Sequence, residues 1–185
     1  MKLSAQEEYG LRCILSLARL EAEPGVEGRV PATIGQVAEH EGLSTEYAAK
    51  LMGILTRAGL VESVRGRNGG YRLARTPDAI CVAEVLAVLG GKLYRPAETC
   101  DRFSGDHRFC VHSNTCSVRS LWSGLQRMID FVLSRTTLQD LVATNESNMA
   151  EWMRAQFETL AELVTHEPSM SDAGRVTLIT PGAGR

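Results

Sequence analysis

The fold turns on one stretch, Leu43-Ser44-Thr45-Glu46-Tyr47-Ala-Ala-Lys50-Leu51-Met-Gly-Ile54-Leu55-Thr-Arg57-Ala-Gly59-Leu60-Val-Glu-Ser-Val64-Arg65-Gly-Arg67-Asn-Gly-Gly70-Tyr71-Arg72-Leu73. Ser44 has the chemistry of a helix N-cap, and Tyr47, Leu51, Ile54 and Leu55 recur at three- and four-residue spacing, so they share one helical face. Gly59 stops that helix. Leu60 to Val64 alternates as a strand, Arg65 to Gly70 is turn chemistry, and Tyr71 to Leu73 returns as a second strand. A helix followed directly by a hairpin with a basic tip is half of a recognisable arrangement.

The other half lies just upstream. Thr33 can cap a short helix from Ile34 to Glu41 with Ile34, Val37 and Ala38 facing inward, and Gly42 stands where a left-handed C′ residue ends a helix. Two short helices joined by a glycine-containing turn form a helix-turn-helix, and the hairpin after them reads as a wing. Before this, Ser4-Ala-Gln-Glu7 fits a capping box, and Leu11, Ile14, Leu15 and Ala18 continue a helix over residues 4–20. Cys13 lies beside that stripe and reads as a packed core thiol. Glu8 lies off it, where a solvated carboxylate favoured by the helix dipole is the plain interpretation. Residues 21–30, with Pro24, Gly25 and Gly28, read as a loop.

Downstream, Thr76-Pro77-Asp78 opens a helix whose apolar face is Ile80, Val82, Val85, Leu86 and Leu89, with Cys81 packed in it and Gly90-Gly91 ending it. Residues 118–134 read as a long helix carrying Leu121, Trp122, Leu125, Met128, Ile129, Val132 and Leu133. That stripe is too wide for a solitary helix and predicts pairing with its copy in a homodimer. Thr136 to Val142 reads as a capped helical turn, and residues 146–164 as a further helix with Met149, Trp152, Met153 and Phe157. The expected fold is mainly α with a small β-hairpin wing, a winged helix-turn-helix plus a long dimerisation helix. The expected divisions are 1–80 for DNA binding, 81–142 for a cysteine loop and dimerisation helix, 143–165 for a C-terminal helix, and 166–185 for a disordered tail.

The net charge of −2 does not suggest a nucleic-acid binder, but its distribution does. Between Ser44 and Arg75 there are six basic residues, Lys50, Arg57, Arg65, Arg67, Arg72 and Arg75, against Glu46 and Glu62. A local basic face is the electrostatic footprint phosphate binding requires. The first turns of the second helix, with Ser44, Thr45, Glu46, Tyr47 and Lys50, are where side chains reach base edges in a major groove. Lys50 suits either a guanine edge or a phosphate. Arg65 and Arg67 on the wing suit an adjacent narrow minor groove. The implied partner is double-stranded DNA, with a palindromic operator matching a two-fold dimer.

The chemistry-bearing stretch is Glu98-Thr-Cys100-Asp-Arg-Phe-Ser-Gly-Asp-His107-Arg-Phe-Cys110-Val-His112-Ser-Asn-Thr-Cys116, which holds three of the five cysteines at C-x9-C-x5-C spacing. It reads as a loop with no apolar periodicity, the kind usually functional or disordered. Thiolates are soft ligands suited to zinc, copper(I) and iron–sulfur clusters. No signal-peptide pattern and no run of about 18 apolar residues is present, so a cytoplasmic protein with no membrane association is expected. There, clustered thiols more often hold metal than form disulfides.

The wing Val61-Glu-Ser-Val-Arg-Gly-Arg-Asn-Gly-Gly-Tyr-Arg-Leu73, preceded by its helix and followed by the three cysteines, resembles the IscR/NsrR/RsrR-type family of bacterial winged-helix iron–sulfur transcription regulators. The likeness covers roughly Met1 to Val142. It implies a homodimer with a [2Fe-2S] or [4Fe-4S] cluster at each end of the dimer interface, whose ligation or redox state controls operator binding. Cys100, Cys110 and Cys116 match the family's cysteine ligands. IscR-like members place a histidine three residues after the last cysteine, where this chain has Arg119, which cannot ligate. NsrR-like and RsrR-like members use an acidic residue in helix one of the partner subunit, and Glu8 holds that position. RsrR-like members add a histidine four residues on, where this chain has Arg12. His107 and His112 stay open as alternative ligands, and the first cysteine spacing is longer than the family's usual one.

A carboxylate is a harder and more exchangeable ligand than a thiolate, so a cluster held by three cysteines and Glu8 predicts an iron open to nitric oxide or oxygen. The expectation is a DNA-binding regulator, a repressor rather than an enzyme, sensing redox state or nitric oxide. A winged-helix regulator using the same cysteines for zinc or thiol redox chemistry is the alternative. A third possibility, an interaction or enzyme module on the same fold, finds no paired catalytic carboxylates or nucleophile–base spacing.

Overall fold

Local capping chemistry opens the helices. In the computed structural model, which describes residues 3–21, 31–67, 69–92, 94–104, 110, 112, 115–144 and 146–165, helix α1 spans Ala5–Glu21. Its capping box is made, with the Glu7 amide donating to Ser4 Oγ at 3.2 Å and the Ser4 amide to Glu7 Oε2 at 2.7 Å. Helix α2, Ile34–Glu41, starts on a second box between Thr33 and Gln36 and ends on Gly42 at φ 64°, a left-handed conformation a side chain would resist. Helix α3, Thr45–Arg57, starts on Ser44. Strands β1, Val61–Val64, and β2, Gly70–Leu73, pair antiparallel with Val61 opposite Leu73 and Val64 opposite Gly70. Ala32 and Tyr71 exchange two backbone hydrogen bonds of 2.8 Å, which tie the wing to the chain entering α2. The loop expected from residue 21 gives its first residue to α1, and its remainder at 22–30, His107 and the tail at 166–185 lie outside the described residues.

Two expectations are corrected beyond the wing. The helix expected from Thr76 to Leu89 is split: a 3₁₀ turn at Pro77–Ala79, an extended Ile80-Cys81, then helix α4, Val82–Leu89. The break has a distant cause. Ile80 and Val82 form backbone hydrogen bonds of 3.0 and 2.8 Å with Leu138 and Thr136, and Cys81 bridges to Thr137. Second, the cysteine stretch does not begin as a loop, because Cys100 lies on helix α5, Pro96–Arg102. Pro96 stands in the first helical turn, Glu98 near the positive end and Arg102 near the negative end, a set that favours a helix the turn-rich residues further on conceal.

Helix α6, Ser117–Arg135, matches the long helix expected there, α7 spans Leu138–Ala143 behind a third capping box (Thr137 and Asp140), and α8 spans Glu146–Thr165. One core unites the elements: Cys13, Ile14 and Leu17 of α1 pack with Val37, Leu51, Met52, Leu55, Leu60, Leu73, Ile80, Val85, Leu89 and Leu138. Each aliphatic side chain fully buried there contributes about 1.5–3 kcal/mol relative to exposure. Leu138 thereby returns the far end of α6 to the winged helix. Gly10 lets α1 cross α4 closely, since a Cβ there would collide with the Leu89 side chain. Along α6, Val118, Leu121, Trp122 and Met128 are exposed.

Candidate nucleic-acid interface and cysteine site

The reading helix is positioned by its own cap and by α1. Ser44 Oγ accepts the Tyr47 amide at 3.2 Å, so this side chain serves the helix start. Thr45, Glu46 and Lys50 project into solvent from the first turns of α3. Tyr47 does not: it is half-buried, with its ring edge-to-face on Tyr9 of α1 at 6.1 Å and 82°. The Arg12 guanidinium lies over the other side of that contact, 5.6 Å from the Tyr9 ring centre. On the wing, Arg72 is held across the hairpin by Glu62 at 2.8 and 3.0 Å. Arg65 and Arg67, exposed at the tip, have no acidic partner among the described residues and keep their full charge for a ligand.

A buried carboxylate that sequence reading missed locks α1 to α2. The Glu41 side chain is 4% exposed and accepts from Arg12 Nε at 2.9 Å and from the Ser16 hydroxyl, with His40 Nδ1 at 3.0 Å. Burial alone would raise its pKa, but hydrogen bonds from Ser16, His40 and Arg12, with the charge of Arg12, hold it below the ordinary glutamate range. The available signal was phase: position 41 continues the inward face of Ile34, Val37 and Ala38. Cys13, packed beside this network, has its thiol pushed up to about 11 by burial, with the Glu41 charge adding to it. It is a core residue and not a reactive one.

The three cysteines of the expected site, Cys100, Cys110 and Cys116, are half-buried and free. Cys116 is the N-cap of α6, its Sγ accepting the Arg119 amide at 3.3 Å. Cys100 projects from α5. Both lie within electrostatic reach of the Tyr94 hydroxyl, whose pKa is raised by burial first and then by Cys100 and Cys116, while the Arg119 guanidinium opposes the rise. Tyr94 is itself fixed to α6: its amide donates to the buried Gln126 Oε1 at 2.7 Å, Gln126 donates to Asp130 at 2.8 Å, and the Tyr94 and Trp122 rings lie 6.5 Å apart. Cys100 on α5 and Cys116 at the start of α6 thus both act on Tyr94. Cys110 and an exposed His112 lie on the chain between them, and among the described residues no three His, Cys, Asp or Glu side chains close into a metal-holding group. Glu8 is exposed on α1, near Arg12. Its neighbours engage the end of α4 in the same chain: Gln6 donates to the Leu89 carbonyl, and Glu7 packs over Gly90.

A capped reading helix, a hairpin wing with free arginines and a helix-one brace define a winged helix-turn-helix DNA-binding transcription regulator. No described helix is long and apolar enough to cross a membrane. The chain belongs to the Rrf2 family of iron-dependent transcriptional regulators, whose model matches residues 3–144. It is 31% identical over 153 residues to the HTH-type transcriptional regulator CymR of Bacillus subtilis, covering 83% of this chain and 98% of that one. The solved structure of that protein, described as the global cysteine regulator of B. subtilis, superposes with a TM-score of 0.61 over 78% of this chain and 99% of the other. The regulator IscR of Aliivibrio salmonicida is 33% identical over 146 residues, 79% of this chain and 80% of its own. The structure of IscR from T. potens gives a TM-score of 0.59 at 31% identity, over 77% and 87% of the two chains. These relatives are transcription regulators and not enzymes.

Proposed function

We propose that the protein is a homodimeric cytoplasmic repressor of a palindromic operator, controlled by an iron–sulfur centre on Cys100, Cys110 and Cys116 of one subunit and Glu8 of the partner subunit. The observation that carries this reading is the pair of free, half-buried thiols at Cys100 on α5 and at Cys116, the N-cap of the long helix whose exposed Val118, Leu121, Trp122 and Met128 suit a second copy. The donor set suits the group: soft sulfurs for iron, and a carboxylate from outside to complete a site that one chain leaves open. When bound, such a centre supplies an iron that nitric oxide or oxygen can attack at its carboxylate-held corner.

The chain's own residues supply the relay. Glu8 stands one residue from Tyr9, and Tyr9 is the contact that seats Tyr47 of the reading helix. Arg12, one turn further on, holds Glu41 at the end of α2. Freeing Glu8 therefore changes the alignment of α1 against both helices of the helix-turn-helix. Only an interaction that differs between two states can shift operator affinity, and this one does. Gln6 and Glu7, on Leu89 and Gly90, connect the same helix turn to the segment leading into α5.

Anaerobic purification with iron and sulfide analysis, followed by gel-shift with and without nitric oxide, tests the reading. A brown protein whose operator band changes on nitric oxide supports it. A second reading, thiol redox or zinc chemistry at the same cysteines, draws on the likeness to a cysteine regulator. Its signature is a colourless protein, with stoichiometric zinc or with operator binding that responds to thiol oxidants.

A further inference from the structure

Glu46 is the one acid of the reading helix, and it stands on the side that faces a polyanion. The buried side of α3 is Ala48, Leu51, Met52 and Leu55. At 3.6 residues per turn, position 46 falls on the opposite side, with position 50 one turn further along the same outward face. Glu46 and Lys50 are both exposed. The rotation of the helix is fixed by that packing and by the Tyr47 ring seated on Tyr9, so this face stays outward. Among the described residues no ion pair joins Glu46 to Lys50, whereas the other acid between Ser44 and Arg75, Glu62, is engaged by Arg72. The helix dipole favours an acid in a first turn, but that role is indifferent to DNA sequence.

A carboxylate brought against duplex DNA meets phosphates and base edges. Phosphates repel it, and covering it without a donor is strongly unfavourable. Most base edges repel it too. In the major groove guanine offers N7 and O6, and thymine offers O4, all of them acceptors, while adenine sets its N7 acceptor beside the N6 donor. Cytosine alone presents only a donor, its N4 amino group. We propose that Glu46 reads cytosine: its carboxylate accepts a hydrogen bond from N4 of one cytosine in each operator half-site. The inference rests on the operator-binding reading, not on the iron–sulfur centre, and names a base that reading leaves open. Glu46 then contributes discrimination rather than affinity, because wherever it meets no cytosine it repels the duplex.

Selection from a library of randomised duplexes tests this, with full-length wild type, Glu46→Gln and Glu46→Ala each sequenced for what they retain. Wild type is expected to keep cytosine at one position of each half-site. Glu46→Gln should keep adenine there, because an amide accepts from N6 and donates to N7. Glu46→Ala should show no preference there and leave the other positions as they were. On duplexes differing only at that base pair, wild type should favour cytosine over adenine about tenfold, and the Ala variant less than about twofold. A scrambled duplex should bind the Ala variant at least as tightly as wild type, since a repelling charge is gone. A wild-type consensus without that cytosine overturns the inference, as does one consensus shared by all three proteins. An Ala variant weakened equally on every duplex also overturns it, because that is the mark of a helix-start role. A wild-type protein that retains no duplex, before or after anaerobic incubation with iron and sulfide, overturns operator binding itself, which separates the two failures.

Discussion

Glu41 accepts hydrogen bonds from two elements at once, so its ionisation is linked to folding. Its pKa in the folded chain lies below the ordinary value, despite burial, because Ser16, His40 and Arg12 favour the charged form. A depressed carboxylate contributes stability that is fully present above its unfolded pKa, about 4.3, and is lost as pH falls through the folded value. Glu41→Gln is therefore expected to unfold at lower denaturant concentration at pH 7, by roughly 1–3 kcal/mol. The gap from wild type should narrow once pH falls below about 4.3 and close only below the depressed folded value, where the wild-type side chain is neutral in both states. A gap that stays constant from pH 7 down to pH 3 would mean that packing, not charge, is what Glu41 supplies. Sequence reading could find the thiols, because cysteines in a turn-rich run stand out by type. For Glu41 helical phase signalled burial but not its partners, and for Gln126 and Tyr94 nothing local signalled buried work, because the partners lie far along the chain.

At the scale of elements, what could be read from sequence was what neighbours decide. The capping boxes at Ser4 and Thr33, the turn at Gly42 and the cap at Ser44 are local chemistry, and α1, α2, α3 and the wing stand close to where periodicity put them. The break at Ile80-Cys81 was not legible, because Thr136 to Leu138 imposes it by pairing with that segment. The wing carries a prediction of its own. Arg65 and Arg67 are free at its tip, while Arg72 is engaged by Glu62. Alanine at either tip position is expected to lower operator affinity and to reduce the slope of log affinity against log salt by about 1. Alanine at Arg72 should change that slope less, since its charge is already paired in the free protein. Titrations at several salt concentrations check this, and slopes unchanged from wild type for the two tip variants would remove the wing from the phosphate contacts.

For the whole molecule, the decisive property is whether a site is built within one chain or between two. Glu8 lies exposed on α1, and among the described residues it joins no group with the cysteines of its own chain. The proposed dimer gives it thiols to meet on the other subunit, and co-expression of two crippled chains distinguishes the arrangements. One chain carries Glu8→Ala with its cysteines intact, and the other keeps Glu8 but has Cys100, Cys110 and Cys116 changed to serine. If the site crosses the interface, the heterodimer joins intact thiols to an intact carboxylate at one end and neither at the other. It should then hold one centre that resists chelation as wild type does, while both homodimers lose or lack theirs. If the site is intramolecular, the thiol-bearing chain lacks its carboxylate in every dimer, and no chelator-resistant centre forms. Iron per heterodimer and the rate of its removal decide between the two, and the same preparation reports on coupling. A single crossing site repairs the link from Glu8 through Tyr9 to Tyr47 in only one reading head, so operator affinity should fall between the metal-free and fully loaded dimers.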